Sequence, residues 1–272
     1  MNILVIHGSM RKGNTYALTQ EIVKRLKVKP DVECMEISVK DLELPFCGSC
    51  HVCFAKGEEN CPHYEIMRRV EAALLECDGV ILSGTTYMWS LNAAMKNLLD
   101  HLAYMFHRPA LFGKYGMVIA TSAGAGEKGA AKYLKTVLGQ FGINGAVILT
   151  QNAKQKSMVS VEKLEKNYDK AAERFYKTVT SKRFIHPALK SIAVHNAFRA
   201  MAQSGFTDSE RDTAFWNTPE MNKAYPVKAG AFKRMMGAII YGMVKGLTKM
   251  IGRGYNNKKA KEVDAKGNDN AD

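Results

Sequence analysis

Over the first 180 residues the chain alternates between two patterns of hydrophobic and polar positions. Short apolar runs predict strands buried in a parallel sheet, at residues 2–7, 32–39, 79–82, 115–121 and 145–150. The segments after them repeat apolar residues at intervals of three and four, which predicts amphipathic helices at residues 14–27, 64–76, 90–107, 127–141 and 160–180. Five such β–α units predict a doubly wound α/β domain over residues 1–180, with helices on both faces of a five-stranded parallel sheet.

The pattern changes after residue 180. Helical spacing returns over 185–204 and 229–251, and a capping box at Thr207 and Glu210 opens a shorter helix between them. The last stretch is polar and rich in Lys, Asn and Asp. The sequence therefore predicts a basic helical extension over 181–254 and a disordered tail over 255–272.

Charge is concentrated in this extension. The chain has a net charge of +13, of which residues 181–272 carry +8. Between Glu220 and Glu262 there are ten basic residues and no acidic one, and the segment 229–253 has one apolar face, formed by Phe232, Met236, Ile239, Ile240, Met243, Leu247, Met250 and Ile251. This face either packs on the domain or on a partner subunit, the interpretation we favour, or lies in an anionic membrane interface. Nucleic acid is not an expected partner, because the segment has few aromatics and no recognised binding module.

The N-terminus lacks the basic start and the long apolar core of a secretion signal. The longest apolar stretch without charge, residues 235–244, is too short to cross a bilayer. We therefore expect a cytoplasmic protein, with peripheral membrane contact through 229–253 as the alternative just described.

Ligands of doubly wound sheets bind at the carboxyl ends of strands. The loop after the first strand, Gly8 to Thr15, places Ser9, Arg11, Asn14, Thr15 and free backbone amides at a helix N-terminus, which favours an anion. Asn14 stands where a nucleoside triphosphatase needs Lys, so a single terminal phosphate, as on FMN, fits better. The alternative is a tight turn and helix cap that binds nothing.

Two later loops supply groups for a flavin ring. Residues 83–90 offer Thr hydroxyls together with Tyr87 and Trp89, which are suited to stacking on or flanking the ring. The loop 122–129 matches a G-x-G-x-x-G pattern but follows the fourth strand, so we interpret it as a glycine loop beside the ring and not as a dinucleotide site. For both aromatics, a place in the core or a dimer interface is the alternative.

Four cysteines lie within fifteen residues: Cys47, Cys50, Cys53 and Cys61, spaced C-x2-C-x2-C-x7-C. Two-residue gaps allow thiolates to converge on one cluster, and four thiolates suit iron–sulfur or zinc. A reduced loop without metal and a Cys47–Cys50 redox pair are the alternatives.

Three segments together carry a family resemblance: GSMRKGNT after the first strand, the cysteine motif, and SGTTYMW leading into LNAAMKNLLDH. They resemble the NADPH-dependent FMN reductase-like flavoproteins and, within them, the iron–sulfur flavoproteins. The resemblance covers residues 1 to about 180 and implies a flavodoxin-like fold, bound FMN and a homodimer or tetramer. It implies that Ser9, Arg11, Asn14 and Thr15 hold the phosphate and that the ring is lined by Thr86, Tyr87, Met88, Trp89, Ser122 and Gly124. Relatives usually have Pro where Thr85 stands.

We therefore expect an FMN-dependent oxidoreductase that passes electrons from NAD(P)H or a reduced carrier to a small acceptor. A [4Fe–4S] cluster on Cys47, Cys50, Cys53 and Cys61 would split the two-electron flavin chemistry into single steps, which suits a ferredoxin-like partner. No side chain stands out as a catalytic acid or base. The alternatives are a non-enzymatic flavin and iron–sulfur electron carrier and a flavin-free scaffold.

Overall fold

The computed structural model describes residues 1–182, 185–207, 209–223, 225–226 and 228–268, with side chains up to residue 251. The chain forms two compact units: Met1–Cys53 with Gly57–Ala188, and Phe54–Lys56 with Leu189–Asp272. The division after Ala188 falls a few residues beyond the boundary that the sequence predicts. A short piece of the cysteine loop belongs to the second unit.

The first unit contains a sheet of five parallel strands and one short antiparallel strand. The strands are β1 (Asn2–His7), β2 (Glu33–Ser38), β3 (Gly79–Tyr87), β4 (Ser90–Leu91), β5 (Tyr115–Ser122) and β6 (Ala146–Asn152). The parallel strands follow the order β2-β1-β3-β5-β6, and β4 pairs with β3. Since β4 is a hairpin partner at the end of β3, the five main strands have the flavodoxin-like order, which confirms the predicted fold.

The helices of the first unit alternate with these strands. They are α1 (Asn14–Lys27), α2 (Val52–Ala55, of which Phe54 and Ala55 belong to the second unit), α3 (Tyr64–Glu76), α4 (Ala93–His101), α5 (Tyr104–His107), α6 (Glu127–Gln140), α7 (Ala153–Lys156) and α8 (Val161–Thr180). Two 3₁₀ turns, Lys40–Leu42 and Glu58–Asn60, lie in the long loop after β2.

The core lies on both faces of the sheet. On one face, alternate residues of the central strands pack with α1 and α8 in a cluster that includes Ile3, Ile22, Ile81 and Phe175. The intervening strand residues, such as Leu4, are also buried. Burial of both side-chain sets explains why these strands are continuous apolar runs in the sequence.

Two predicted elements differ from the structure. Strand β3 extends to Tyr87, so half of the predicted loop 83–90 belongs to the strand, because Thr86 and Tyr87 pair with β4. The predicted helix 90–107 is interrupted: Ser90 and Leu91 form β4, and the helical part divides into α4 and α5. Apolar periodicity marks the buried side of this stretch but does not show where the backbone turns.

The second unit is helical, with α9 (Leu189–Gln203), α10 (Glu210–Trp216) and α11 (Ala231–Asn268). Helix α11 continues through most of the segment for which the sequence predicts disorder, a stretch in which Lys and Ala favour helix and Pro is absent. Residues 269–272, the end of that predicted tail, lie outside the described residues.

None of the helices in the described part of the chain is long and apolar enough to cross a membrane.

Candidate functional site

The carboxyl ends of β1, β3 and β5 meet through a cluster of three threonines. The hydroxyl oxygen of Thr15, in the first turn of α1, lies 2.7 Å from that of Thr85 on β3 and 2.6 Å from that of Thr121 on β5. These hydroxyl contacts join residues 70 and 106 positions apart in the chain. The cluster fixes the start of α1 against β3 and β5, next to the switch point between β1 and β3 where the strand order reverses.

The first loop keeps backbone donors available at the start of α1. Gly13 is the N-cap of this helix, and no side chain of the described residues caps it. The amide groups of the first turn therefore lack intrahelical acceptors. Arg11 and Asn14 are exposed beside them, and Ser9 donates its hydroxyl to the carbonyl of Arg11 at 2.8 Å. This arrangement suits a phosphate group.

Thr15 differs from Arg11 and Asn14 in that its side chain is not exposed. Its side chain is buried and its hydroxyl is engaged by the other two threonines. What Thr15 presents at the helix N-terminus is its backbone amide, while its side chain positions the loop.

Gly8 is packed where the loop leaves β1. A Cβ atom at this position would lie 2.6 Å from the Ser83 carbonyl oxygen and 2.8 Å from Met95 Sδ, so only glycine fits without a shift. Asn92 donates from Nδ2 to the Gly8 carbonyl at 2.7 Å. Asn92, which was not among the predicted site residues, thus holds the loop after β1 in place.

The turn between β3 and β4 presents three large side chains. Tyr87 pairs with Ser90, and the two residues between them, Met88 and Trp89, have positive φ angles of 44° and 64°. Two-residue hairpins with both φ angles positive usually contain Gly, Asn or Asp, so Met and Trp here carry backbone strain. Met88 is 92% exposed and Trp89 75% exposed, which excludes the core as their location. Strained, exposed aromatic turns of this kind mark functional surfaces.

The loop after β5 lies directly against this hairpin. A Cβ atom at Gly126, whose φ is +96°, would lie 2.9 Å from Thr86 Cγ2 and 3.3 Å from Trp89 Cα. The two loops predicted to line a flavin ring are therefore neighbours. Gly124 is exposed at the same edge.

A polar network fixes the base of this third loop. Ser122 donates its hydroxyl to Glu127 Oε2 at 2.5 Å, and the side-chain amide of Asn152 donates to the Gly124 carbonyl. The bond from Ser122 lowers the pKa of Glu127, which stays ionised at the start of α6. Because the Ser122 hydroxyl is engaged here, this residue can offer a ligand its backbone but not a free side chain.

The observed groups fit a bound flavin mononucleotide on two counts. The uncapped N-terminus of α1 offers donors to a phosphate. The hydroxyl of Thr86 is buried without a hydrogen-bond partner among the described residues, at the edge where the hairpin and the Gly126 loop meet. Buried hydroxyls without a partner are uncommon in folded proteins and often indicate an absent ligand.

Asn97 of α4 anchors the cysteine loop. Its Oδ1 accepts from the Cys47 amide at 2.9 Å, and its Nδ2 donates to the carbonyls of Leu44 at 3.2 Å and Pro45 at 2.9 Å. Asn97 is buried, so these bonds are shielded from water. The loop is therefore held at its first cysteine without any metal.

Arg108 holds the same loop at its third cysteine. Its Nη2 donates to the Cys53 carbonyl at 2.7 Å and to Glu58 Oε2 at 2.8 Å. Burial, with smaller contributions from the neighbouring Cys61, Cys47 and Cys50, raises the pKa of the Cys53 thiol to about 11, while Arg108 acts in the opposite direction. The other three cysteines therefore lie near Cys53.

The cysteines are free thiols, and Cys50 is exposed between Ser49 and His51, which both have positive φ. Within the described residues, no group of three or more His, Cys, Asp or Glu side chains is close enough together to hold a metal ion. The four-thiol donor set suits an iron–sulfur cluster, which spans a wider space than one ion. Cluster binding would require the thiols to turn inward from the positions seen here.

Helix α4 connects the two sites. Asn92, its N-cap, holds the Gly8 loop, and Asn97 holds Cys47. Five residues of helix correspond to about 8 Å along the axis. One turn further on, Nε2 of His101 lies 3.0 Å from Nδ1 of His63, a hydrogen bond between the two rings. The segment after Cys61 therefore also contacts α4. No sequence pattern indicates these roles, because Asn and His on a helix have no characteristic spacing.

The sheet order and the glycine loop at the switch point place the first unit in the flavodoxin-like class of doubly wound proteins. Comparison with known proteins identifies the family: the chain belongs to the NADPH-dependent FMN reductase family, whose match covers residues 1–156. The resemblance seen in the motifs is thereby confirmed.

Individual relatives agree with this family. Two iron–sulfur flavoproteins from Archaeoglobus fulgidus are 33% identical over 145 residues and 31% identical over 115 residues, covering 53% and 42% of this chain. The matched regions span 64% and 53% of those relatives, less than two thirds of either. The crystal structure of an NADH:FMN oxidoreductase in its apo form superposes with a TM-score of 0.52 at 22% identity, covering 70% of this chain and 97% of that one, and shows the shared fold.

Proposed function

We propose that this protein is an FMN-dependent oxidoreductase that takes electrons from NAD(P)H or a reduced carrier and passes them to a small acceptor. The observation that carries the proposal is the convergence of three loops at the carboxyl edge of the sheet, with an uncapped helix N-terminus at one end and an exposed aromatic hairpin at the other. Family membership and the names of the relatives support FMN as the cofactor.

In this proposal the chain's own groups bind and orient the flavin. The amides at the start of α1, with Ser9, Arg11 and Asn14, hold the phosphate. The Thr86 hydroxyl, the hairpin side chains Tyr87, Met88 and Trp89, and the backbone of Ser122 and Gly124 line the ring. The flavin supplies the hydride and electron chemistry when bound.

We further propose that Cys47, Cys50, Cys53 and Cys61 hold a [4Fe–4S] cluster. The anchoring of this loop by Asn97 and Arg108 supports it, because a loop held at two points loses less entropy on ligation. The two relatives are named iron–sulfur flavoproteins, which also supports a cluster. The cluster would supply one-electron steps, and α4 fixes its spacing from the flavin loops.

Steady-state kinetics tests the activity. Full-length protein is purified without oxygen, reconstituted with FMN and mixed with NADH or NADPH and a quinone or dye acceptor. Multiple turnovers support the oxidoreductase. Stoichiometric flavin reduction without turnover would favour the electron carrier instead, a candidate that the exposed Cys50 also suits. A protein that stays colourless after reconstitution would refute both.

A double variant of the loop after β1 tests whether this loop binds the FMN phosphate. Arg11 and Asn14 are exposed, so R11A/N14A should weaken FMN binding at least tenfold and leave the fold intact. Quenching of Trp89 fluorescence by flavin gives the affinity. Arg68→Ala on α3, where the guanidinium makes a surface pair with Glu65, is the control. Equal affinity of R11A/N14A and the unmodified protein would remove these residues from the site.

The predicted homodimer or tetramer and the ferredoxin-like partner are part of this proposal. The exposed hairpin at Tyr87, Met88 and Trp89 supports a subunit contact beside the flavin, because large apolar side chains in a row are seldom left in water. Sedimentation velocity of the FMN-loaded protein measures the oligomeric state.

A further inference from the structure

Helix α11 carries an apolar face that its own unit does not cover. Gly237 packs on α9, where a Cβ atom would lie 2.8 Å from both Ile192 Cγ2 and Asn196 Nδ2. One turn on, the Tyr241 hydroxyl donates to Gln203 Oε1 at 2.8 Å. The Arg199 guanidinium lies 4.1 Å from the centroid of the Tyr241 ring. These contacts fix which side of α11 faces α9.

The opposite side of the helix is exposed and almost entirely apolar. Its members recur at intervals of three and four and are each close to half exposed or more: Phe232, Met235, Ile239, Met243, Leu247 and Met250. We call these six residues the α11 stripe. It extends over about 27 Å of helix. A continuous exposed apolar face of this length indicates a binding surface.

The predicted apolar face is mostly left open within the second unit. Packing on α9 uses the side of Tyr241, where Ile240 and Val244 are half-buried, and the α11 stripe stays exposed. Packing on α9 therefore accounts for only part of the apolar surface.

The charge of this segment indicates which kind of partner covers the α11 stripe. Residues 221–261 contain ten basic residues and no acidic one, and Lys249 is exposed beside the α11 stripe. A second copy of this helix would bring like charges together, which is unfavourable. An anionic lipid surface offers both an apolar layer and the complementary charge.

We propose that α11 docks through the α11 stripe on the surface of an anionic lipid bilayer and lies in the plane of the interface. The long, flexible Met side chains adapt to disordered acyl chains, and Lys249 beside the stripe reaches the headgroups. This surface is made by the second unit and does not depend on the flavin site.

Vesicle flotation with the full-length protein tests the proposal. The protein should float with vesicles of phosphatidylcholine and phosphatidylglycerol in a three-to-one ratio and not with phosphatidylcholine alone. Met243→Glu, at the centre of the α11 stripe and 69% exposed, should weaken binding at least tenfold. Met158→Glu is the matched control, because Met158 is 83% exposed but lies in the first unit, and it should bind as the unmodified protein does.

A charge variant separates electrostatic from apolar contributions. Lys249→Gln should weaken binding to the anionic vesicles about fivefold, because each basic residue near such a surface contributes about that factor. Circular dichroism checks that the variants fold.

Three results would overturn the proposal. They are absence of flotation with anionic vesicles, equal flotation with phosphatidylcholine alone, and unchanged flotation of Met243→Glu. A change in sedimentation coefficient for Met243→Glu in the absence of lipid, with vesicle binding intact, would instead assign the α11 stripe to a second copy of the chain.

Discussion

The anchoring of the cysteine loop by Asn97 leads to a quantitative prediction. Asn97→Ala removes one acceptor and two donor contacts, to the Cys47 amide and to the carbonyls of Leu44 and Pro45. A hydrogen bond contributes about 1 kcal/mol net, and the bond at 3.2 Å contributes less, so the three together hold the loop closed by about 2–3 kcal/mol. Opening of the loop should become about a hundredfold more frequent, since each 1.36 kcal/mol is a factor of ten.

Amide hydrogen exchange of the metal-free protein measures this directly. Exchange at the Cys47 amide should accelerate about a hundredfold in Asn97→Ala, while amides of the β1 core keep their protection, because local opening need not involve the sheet. Asn167→Ala on α8 is the matched control: it makes the same chemical change at an exposed helical position. Iron incorporation by Asn97→Ala should fall as well.

Unchanged exchange at Cys47 in Asn97→Ala would refute the reasoning. It would mean that contacts elsewhere, such as those of Arg108 at Cys53, hold the loop without help from α4.

Two further predictions address the glycine loop and the second unit. Gly8→Ala should lower thermal stability and FMN affinity together, because the added Cβ would lie 2.6 Å from a backbone carbonyl oxygen. Gly230→Ala is the control: a Cβ there would have nothing within 4 Å, so the same melting and titration assays should show no change. Burial lowers the pKa of His195 to about 4, below its ordinary value of 6.5. The unfolded state therefore binds more protons between these values, so the second unit should lose up to about 3 kcal/mol of stability as the pH falls from 6.5 to 4. The measurement is chemical unfolding followed by the fluorescence of the buried Trp216, in a Trp89→Phe background that leaves this tryptophan alone; the ring centroids of Trp216 and His195 are 4.7 Å apart. A free energy of unfolding that does not change between pH 6.5 and 4 would contradict the prediction.

The sequence by itself determined the α/β class, the positions of the five parallel strands to within a few residues, and the glycine loop at the start of α1. The reason is that burial on both faces makes a parallel strand a continuous apolar run, and the glycine loop between strand and helix is a local feature. The cysteine spacing is local in the same way. Residues such as Arg11, Asn14 and Cys50 could therefore be selected without knowledge of their neighbours.

Only the tertiary structure decided which residues hold these loops in place. Thr85, Thr121, Asn92 and Asn97 act through partners 50 to 106 residues away, and no local pattern encodes such contacts. It also determined that Thr85 joins a hydroxyl cluster with Thr15 and Thr121.

The same distinction applies to the C-terminal extension. Sequence periodicity indicated that its last helix is basic and has one apolar face, but not what covers that face. Contacts with α9 use the side of Tyr241 and leave the α11 stripe exposed. A helical pattern fixes which residues share a face, whereas the partner that covers each face is set by the packing of elements distant in sequence.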